Sequence, residues 1–246
     1  MIDQLVGSGL TRAMVILAHP DDEALLCGGT IAELTRIDVE TTVVCFSDGA
    51  QGRDEAFKQV CTLLGAQSRL LKFETGSMRV DAELVGATDD LIRESEPQLV
   101  ITHARSGIQN QDHIALHDAV RLSTRRWPSP AIVLGVEPPI SSSDFDGNVF
   151  CEVGQSWASK VAAVTAYQNL LDRPYMCEEY LQTRASWWAQ VAGQPGALME
   201  AFELVLACRL EQHLRAGHVG LGEDQRAVDR LVDMALGRKV HDRVDI

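Results

Sequence analysis

The chain has 246 residues, enough for one large α/β domain or for a domain with an appendage. Hydrophobic residues make up 46% of it, so the sequence can bury a sizeable core. Lys and Arg number 22 against 35 Asp and Glu. The formal charge of -13 argues against nucleic acid and anionic membrane surfaces as partners, because both need a basic surface on the protein.

The first half of the chain alternates between strand-like and helix-like segments. Such alternation predicts right-handed β-α-β units and an α/β fold with a mostly parallel sheet and helices on both faces. The predicted strands are 14–17, 41–46, 70–73, 99–102 and 131–136, and the predicted helices are 23–35, 53–64, 82–94 and 112–123.

The second half is mainly helical by pattern. After a loop at 137–147 and a short strand at 148–153, we predict helices at 158–171, 177–191, 196–211 and 222–238. The glycines at 217–222 form a linker, which divides the chain into a domain at 1–216 and a helical C-terminal appendage at 217–246. This last helix would pack either on the core or on a second subunit, so a homo-oligomer is one of the two arrangements that the sequence leaves open.

The cysteines and the hydropathy pattern bear on cellular location. Six cysteines are scattered without a CxxC pair, which favours small buried thiols in a reducing compartment. Residues 1–11 hold no long apolar run of the kind found in secretory signals. No apolar stretch approaches the roughly 20 residues that span a bilayer. We therefore expect a cytoplasmic protein without a membrane partner.

The carboxyl ends of three predicted strands carry ionisable side chains. His19, Asp21 and Asp22 come after the first strand, Asp48 follows the second and His103 follows the fourth. In open α/β sheets, ligands bind beyond the carboxyl ends of the strands. Convergence of polar loops at one edge is what an active site of this fold class requires, so we expect the site there.

The densest group of charges is the run His19-Pro20-Asp21-Asp22-Glu23. Charges that close to a buried strand must be paired or bound. A divalent metal explains the cluster, because it would take His19 and one aspartate as ligands. The other aspartate would then be free for chemistry.

A second group lies on the predicted helix at 112–123. His113 and His117 are four residues apart and share one face of that helix, as two zinc ligands do in zincins. The glutamate that the zincin pattern needs beside its first histidine is absent, since residue 114 is Ile. On spacing alone, a pair of hydrogen-bonded core histidines is an equal alternative.

Several motifs together resemble those of the PIG-L (LmbE-like) family of metal-dependent N-deacetylases. The resemblance covers residues 12–207 and implies a Rossmann-like fold. The motifs that carry it are Ala18-His19-Pro20-Asp21-Asp22-Glu23, Gly28-Gly29-Thr30, Ser47-Asp48-Gly49, Thr102-His103 leading to Asn110-Gln111-Asp112-His113, Lys160, and Glu200-Ala201-Phe202-Glu203.

The resemblance also implies the ligands and the base. His19, Asp22 and His113 would hold a zinc ion, or iron as in some members, and Asp21 would be the general base for a metal-activated water. This agrees with the general requirement that a catalytic zinc takes three protein ligands and keeps one position open. The expected substrate is a small amino sugar.

One position departs from the family pattern. Many members have a histidine three residues before the third ligand, where it acts as acid and oxyanion donor, but this chain has Asn110. An amide donates a hydrogen bond to an oxyanion but delivers no proton at neutral pH. Either His103 takes over the acid role, which we favour because it ends the adjacent strand, or Asp21 returns its proton to the amine.

Three further residues are candidates for supporting roles. His117 would orient a ligand from outside the metal's own shell. Asp48 would orient a ligand histidine or contact a sugar hydroxyl, and Arg53 would contact the substrate or open the following helix.

The sequence thus leads to three hypotheses. The first is a zinc-dependent hydrolase that deacetylates an N-acetylglucosamine-type sugar or small glycoconjugate. The second is an amidase on a sugar-linked thiol conjugate or an acylated natural-product intermediate. The third, motivated by Asn110, is a non-catalytic sugar-binding module. The first strand is not followed by GxGxxG, and no GxSxG turn is present, which argues against a dinucleotide dehydrogenase and a serine hydrolase.

Overall fold

The fold is described from a computed structural model covering residues 9–49, 53–106, 110–127, 129–130, 132–140, 144–168 and 170–207. The predicted appendage at 217–246, with its helix at 222–238, lies outside these residues.

Seven strands and six α-helices make up the described fold. The strands are β1 (Arg12–Leu17), β2 (Glu40–Cys45), β3 (Gln67–Leu70), β4 (Leu99–His103), β5 (Ile132–Val136), β6 (Val149–Glu152) and β7 (Met199–Ala207). The helices are α1 (Asp22–Arg36), α2 (Arg53–Leu63), α3 (Ala82–Ser95), α4 (Gln111–Thr124), α5 (Trp157–Gln168) and α6 (Glu178–Val191).

All seven strands form one sheet in the order β3-β2-β1-β4-β5-β7-β6. The first five strands are parallel, whereas β7 pairs antiparallel with both β5 and β6. The chain moves outward from β1 to β2 and β3, then returns to add β4 on the other side. This reversal between β1 and β4 is the topological switch point where open α/β sheets bind their ligands.

The core explains why helices cover both faces of the sheet. Successive residues of a strand point to opposite faces. Along β1, Val15 and Leu17 face a cluster built with α1, α2 and α5, while Met14 and Ile16 face one built with α3 and α4. The predicted α/β architecture is therefore confirmed. None of the described helices has the length and apolar character needed to cross a membrane.

The predicted helix at 196–211 is wrong over its described part. Met199–Ala207 is the strand β7, between β5 and β6. The stretch is rich in Met, Ala, Glu and Leu, which favour helices by only about 0.7 kcal/mol per residue or less over other common residues. Pairing on both edges and complete burial of Phe202 outweigh that preference.

The third strand also lies earlier than predicted, at Gln67–Leu70 instead of 70–73. The predicted segment at 70–73 still runs beside the end of β2. The Leu71 N–H donates to the Cys45 carbonyl at 2.8 Å, and the Phe73 N–H donates to the Phe46 carbonyl at 2.9 Å. The hydrophobic residues that suggested a strand therefore lie beside the sheet, just past the end of its regular pairing.

Gly135 in β5 provides a test of the packing beside β4. A Cβ atom at this position would lie 2.8 Å from the Ala104 Cα, which is backbone and cannot rotate away. We expect Gly135→Ala to lower the free energy of unfolding by about 1–3 kcal/mol through overpacking. Gly86→Ala in α3 is the control, because nothing lies within 4 Å of its Cβ and it should be neutral or stabilise by up to about 1 kcal/mol. Equal effects of both changes in urea unfolding would contradict this packing.

Candidate metal centre

The candidate site lies at the carboxyl ends of β1 and β4, at the switch point. After β1 the chain passes through His19 and Asp21 directly into α1, and β4 ends at His103. The helix that follows, α4, starts at the same edge and brings His113 in its first turn. Two neighbouring strands and the two helices that follow them therefore place all these side chains together.

Three buried side chains converge at this point in the way that the sequence predicts for the ligands. His19 Nδ1 lies 3.2 Å from His113 Nε2 and 3.4 Å from Asp22 Oδ2, and His113 Nε2 lies 3.3 Å from Asp22 Oδ2. Ligand atoms about 2.0–2.1 Å from a tetrahedral zinc are separated by about 3.3 Å. The spacing of the three donor atoms thus matches three corners of a coordination tetrahedron around one small cation.

This cluster is also distinctive among the described residues. In the ranges that the structure describes, it is the one group of three His, Cys, Asp or Glu side chains whose ligand atoms lie within 4.8 Å of one another. Two neutral imidazoles and one carboxylate are also the nitrogen and oxygen ligands that suit zinc or iron.

A residue of the candidate site that the sequence reasoning missed is Asp112. It is fully buried, and its Oδ2 lies 2.9 Å from His19 Nε2, on the side of the ring away from the other two ligands. The same carboxylate accepts the backbone N–H groups of Gly76 at 2.6 Å and Met78 at 3.1 Å. A carboxylate on the far nitrogen of a metal-binding histidine fixes its tautomer and orientation. Its position directly before His113 was the signal available in the sequence.

The candidate ligands perturb one another's pKa values in the metal-free protein. Burial alone would raise the pKa of Asp22, but His113, His19 and His103 hold it well below its usual range. Burial lowers the pKa of His19, yet the carboxylates of Asp22 and Asp112 outweigh this and raise it to about 9. A cation bound here would take the place of the proton that His19 carries.

Asp21, the predicted base, occupies an unusual backbone conformation. Its φ of 125° lies in a region that side-chain-bearing residues rarely adopt. Its N–H donates to Glu23 Oε2 at 3.0 Å, and Glu23 Oε1 in turn accepts the Tyr167 hydroxyl at 2.6 Å. The Arg53 guanidinium lies 3.5 Å from the Asp21 carboxylate and also donates to the carbonyls of Pro20 and Gly49.

The environment of Asp21 suits proton transfer. Burial raises the pKa of its carboxyl well above the usual range, the charge of Asp22 raises it further, and Arg53 opposes both. A base works best when its pKa approaches the working pH. Asp21 and Asp22, although adjacent in the chain, are therefore driven apart in proton affinity by different neighbours.

His103, the favoured acid in the sequence analysis, is held as a hydrogen-bond acceptor. Its Nε2 accepts the Ala18 N–H at 3.0 Å, and its ring stacks on His113 with centroids 3.7 Å apart. Burial and the nearby His113 lower the pKa of His103 well below its usual range. The Nε2 atom, which faces Asp22 at 3.6 Å, thus carries no proton to give.

The other predicted residues take different positions around the cluster. His117 Nδ1 lies 2.8 Å from the His103 carbonyl, so it supports the end of β4 and lies behind the ligands. Asn110 is the exposed N-cap of α4, and its Oδ1 accepts the Asp112 N–H at 2.9 Å. Asp48 is exposed in the loop after β2, where Ser47 Oγ donates to the Ala18 carbonyl at 3.1 Å.

A small cavity of about 50 Å³ lies on the β5 side of this centre. Leu25 and Leu26 line it, one helical turn beyond Asp22 and on the same face of α1. Opposite them, the Glu137 carboxylate accepts the Trp188 indole N–H at 2.7 Å and pairs with Arg184. The cavity on the β5 side thus combines the two leucines with charged side chains that are paired with one another, and none of the three donor residues lines it, whereas the β2 side carries Asp48 and Arg53.

Comparison with known proteins agrees with the motifs. Residues 14–123 match the family described as PIG-L: GlcNAc-PI de-N-acetylase. A relative from Escherichia coli strain K12, described as "Uncharacterized deacetylase YaiS", is 25% identical over 169 residues, which are 63% of this chain and 90% of that protein. The N-acetylglucosaminyl-phosphatidylinositol de-N-acetylase of Bos taurus is 33% identical over 131 residues, covering 48% of this chain and 51% of that enzyme.

Solved structures share the fold. The crystal structure of GalB, the 4-carboxy-2-hydroxymuconate hydratase of Pseudomonas putida KT2440, matches with a TM-score of 0.70 and 19% identity over 87% of this chain and 99% of that chain. The N,N'-diacetylchitobiose deacetylase of Pyrococcus horikoshii matches with a TM-score of 0.68 and 17% identity over 80% and 84% of the two chains.

The contact between Asp112 and His19 predicts an effect on metal binding. We expect Asp112→Asn to weaken zinc binding about 10- to 100-fold, because the amide no longer fixes the His19 tautomer by charge. Zinc affinity would be measured by competition with a chromophoric chelator. Asp90→Asn, which removes a half-exposed carboxylate on α3, is the control. Unchanged affinity in Asp112→Asn would contradict the role assigned to this carboxylate.

The raised pKa of His19 predicts the pH dependence of the metal-free protein. The folded state keeps a proton on His19 up to about pH 9 that the unfolded chain releases near pH 6.5, so stability should fall as pH rises between 7 and 9. Burial of Glu23 raises its pKa to about 7, which places its own contribution below this window. Thermal unfolding in chelator would measure the slope, and His19→Asn should flatten it; equal slopes in both proteins would refute the assignment.

Proposed function

We propose that the chain, whose residues 14–123 match the PIG-L family, is a metal-dependent hydrolase that removes the acetyl group from an N-acetylglucosamine-type sugar or small glycoconjugate. The observation that carries the proposal is the spacing of the three donor atoms of His19, Asp22 and His113, next to a second carboxylate, Asp21, that is not part of the trio. Zinc is the proposed metal, with iron as the alternative, because the donor set suits both.

The proposed chemistry divides between the metal and Asp21. When bound, the metal lowers the pKa of a water molecule and polarises the amide carbonyl. Asp21 accepts the proton of that water, and its raised pKa makes the carboxylate a stronger base than an exposed aspartate. Arg53, 3.5 Å from Asp21, holds the carboxylate in place through the attack.

The proton then has to reach the leaving amine. His103 accepts a backbone hydrogen bond at Nε2, so we assign the return of the proton to Asp21. Asn110 has its carbonyl oxygen committed to the N-cap of α4, which leaves the NH2 half of its amide as the donor to the developing oxyanion. Asp21 is thus base and then acid, and Asn110 contributes a hydrogen bond only.

The two sides of the site suggest how the substrate lies. Asp48 and Arg53 on the β2 side would bind sugar hydroxyls. The cavity on the β5 side, about 50 Å³ and lined by Leu25 and Leu26, would receive the acyl group. That volume exceeds what one water needs, so short acyl groups larger than acetyl also fit the proposal. An amidase on such an acylated glycoconjugate is the variant of the proposal that this cavity favours.

A hydratase is the second candidate. The match with this chain extends over 99% of GalB, compared with 84% of the chitobiose deacetylase. Adding water to a double bond has no leaving amine to protonate, and the proton that a base such as Asp21 takes from the water goes to the second carbon, so the addition balances without a proton from residue 110. A non-catalytic sugar-binding module is the remaining alternative.

The proposed setting is the cytoplasm, with a small amino sugar as the partner. The described cysteines are all free, four of them buried, as in proteins of reducing compartments. Self-association through the C-terminal segment stays a prediction.

The test is a substrate panel assayed with zinc- and iron-loaded protein. We expect acetate release from N-acetylglucosamine conjugates, loss of release on chelation, and a fall of about 100- to 10,000-fold in Asp21→Asn with its metal retained. Propionyl and butanoyl analogues of the same sugar compare acyl groups, and Asp48→Asn, at the exposed rim, separates substrate binding from chemistry.

The other outcomes separate the alternatives. Release of only the longer acyl groups would replace the deacetylase by an amidase. Loss of absorbance of an unsaturated carboxylic acid, with no amide hydrolysed, would favour the hydratase. Sugar binding without turnover in metal-loaded protein would exclude the three enzymes and favour the non-catalytic sugar-binding module.

A further inference from the structure

Helix α1, which starts with the ligand Asp22, is interrupted in its middle. Cys27 has φ of -146° and ψ of 21°, which are not helical values, so α1 consists of a short first piece and a longer second piece. An interruption of this kind leaves carbonyl groups of the first piece and N–H groups of the second piece without helical partners. In a buried helix such groups have to be satisfied by other parts of the chain.

Two buried side chains from the second half of the chain do this. Glu200 of β7 accepts the Gly29 N–H at 3.1 Å through Oε1 and the Thr30 N–H at 2.7 Å through Oε2. Lys160 of α5 donates to the Leu25 carbonyl at 3.0 Å and pairs with the Glu200 carboxylate. Glu200 thus caps the second piece, where a negative charge also suits the helix dipole, and Lys160 caps the first.

The fit around the interruption leaves no room for a side chain at residue 29. A Cβ atom on Gly29 would lie 2.7 Å from the Val153 Cβ and 3.1 Å from Glu200 Oε1. Lys160 and Glu200 are 4% and 6% exposed, so the pair is buried, and both residues border the small cavity that Leu25 and Leu26 line. Gly29 of the Gly28-Gly29-Thr30 motif is therefore explained by the close approach of Val153, just after β6, and of the Glu200 carboxylate on β7.

The same helix α5 reaches the start of α1 a second time. Two turns after Lys160, the Tyr167 hydroxyl donates to Glu23, whose other oxygen accepts the Asp21 N–H. Lys160, Glu200, Tyr167 and Glu23 together hold the segment from Asp21 to Leu25 at both of its ends, and we call them the α1 clamp. None of the four has an atom among the three proposed metal donors.

We propose that the α1 clamp positions the metal site: it holds the first piece of α1 at the angle that presents Asp22 to the two histidines and keeps Asp21 beside it. Burying an ion pair gives little net stability compared with an apolar pair of the same size, so the stability of Lys160 and Glu200 comes from the backbone groups that they cap and not from their mutual charge. The clamp residues act through the backbone of α1 and are positioning residues. This inference rests on the proposed metal site.

The test is the double variant Lys160→Met/Glu200→Gln, which removes the pair without leaving one buried charge alone. We expect it to bind zinc at least about 10-fold more weakly than wild type in chelator competition, at a temperature where circular dichroism shows it folded. We also expect kcat on the proposed substrate to fall more than KM rises. Arg69→Met/Glu94→Gln, which removes an exposed ion pair between β3 and α3, is the matched control and should change neither quantity.

A second variant keeps the test decisive if the double variant does not fold. Tyr167→Phe keeps the buried ring and removes only the 2.6 Å hydrogen bond to Glu23, and it should weaken zinc binding several-fold with a small change in Tm. A lower Tm with wild-type zinc affinity and kcat in the folded variants would overturn the positioning role. Wild-type protein that binds neither zinc nor iron would instead overturn the proposed hydrolase, and with it the premise of the clamp.

Discussion

The buried carboxylate of Asp22 is the interaction on which the site depends. An ionised group without partners inside a protein is very costly, so the surrounding chain has to provide hydrogen bonds and positive charge. Asp22 Oδ2 accepts the His19 N–H at 3.0 Å and lies within 3.6 Å of the His113 and His103 rings. These partners come from two segments that are far apart in sequence, the turn after β1 and the stretch from the end of β4 to the first turn of α4, and the pairing of β1 with β4 brings them together. The requirement of one charge thus links the sheet topology to the proposed chemistry.

Much of the fold and the core of the site could be predicted from the sequence, because both rest on short-range patterns. Strands such as β1 alternate with amphipathic helices, and the run from His19 to Glu23 is continuous in the chain. The strand β7 could not be predicted in this way. Its residues favour a helix locally, and only pairing with β5 and β6 makes the stretch extended.

The supporting residues could not be predicted either, since their partners lie far away along the chain. Asp112 contacts His19 across 93 positions, and Glu200 contacts Gly29 across 171 positions. Neither contact has a periodic signal in the sequence. His103 illustrates the opposite case, because its place at the end of β4 was predicted correctly while its hydrogen bond to Ala18 changes the chemistry that it offers. The sequence pattern was thus enough to place His103 at the end of β4, whereas its protonation state depends on a contact that the sequence does not reveal.

The backbone of Asp21 carries a consequence for the evolution of this chain. A non-glycine residue at φ of 125° costs about 1–3 kcal/mol, whereas glycine adopts such a conformation freely. Selection for stability alone would therefore replace Asp21 by glycine and lose the carboxylate. Its presence means that the chain gives up part of its folding free energy to keep an acid at this position. Under the proposed function, a relative with glycine at this position would be more stable than this chain and would no longer be able to move the proton.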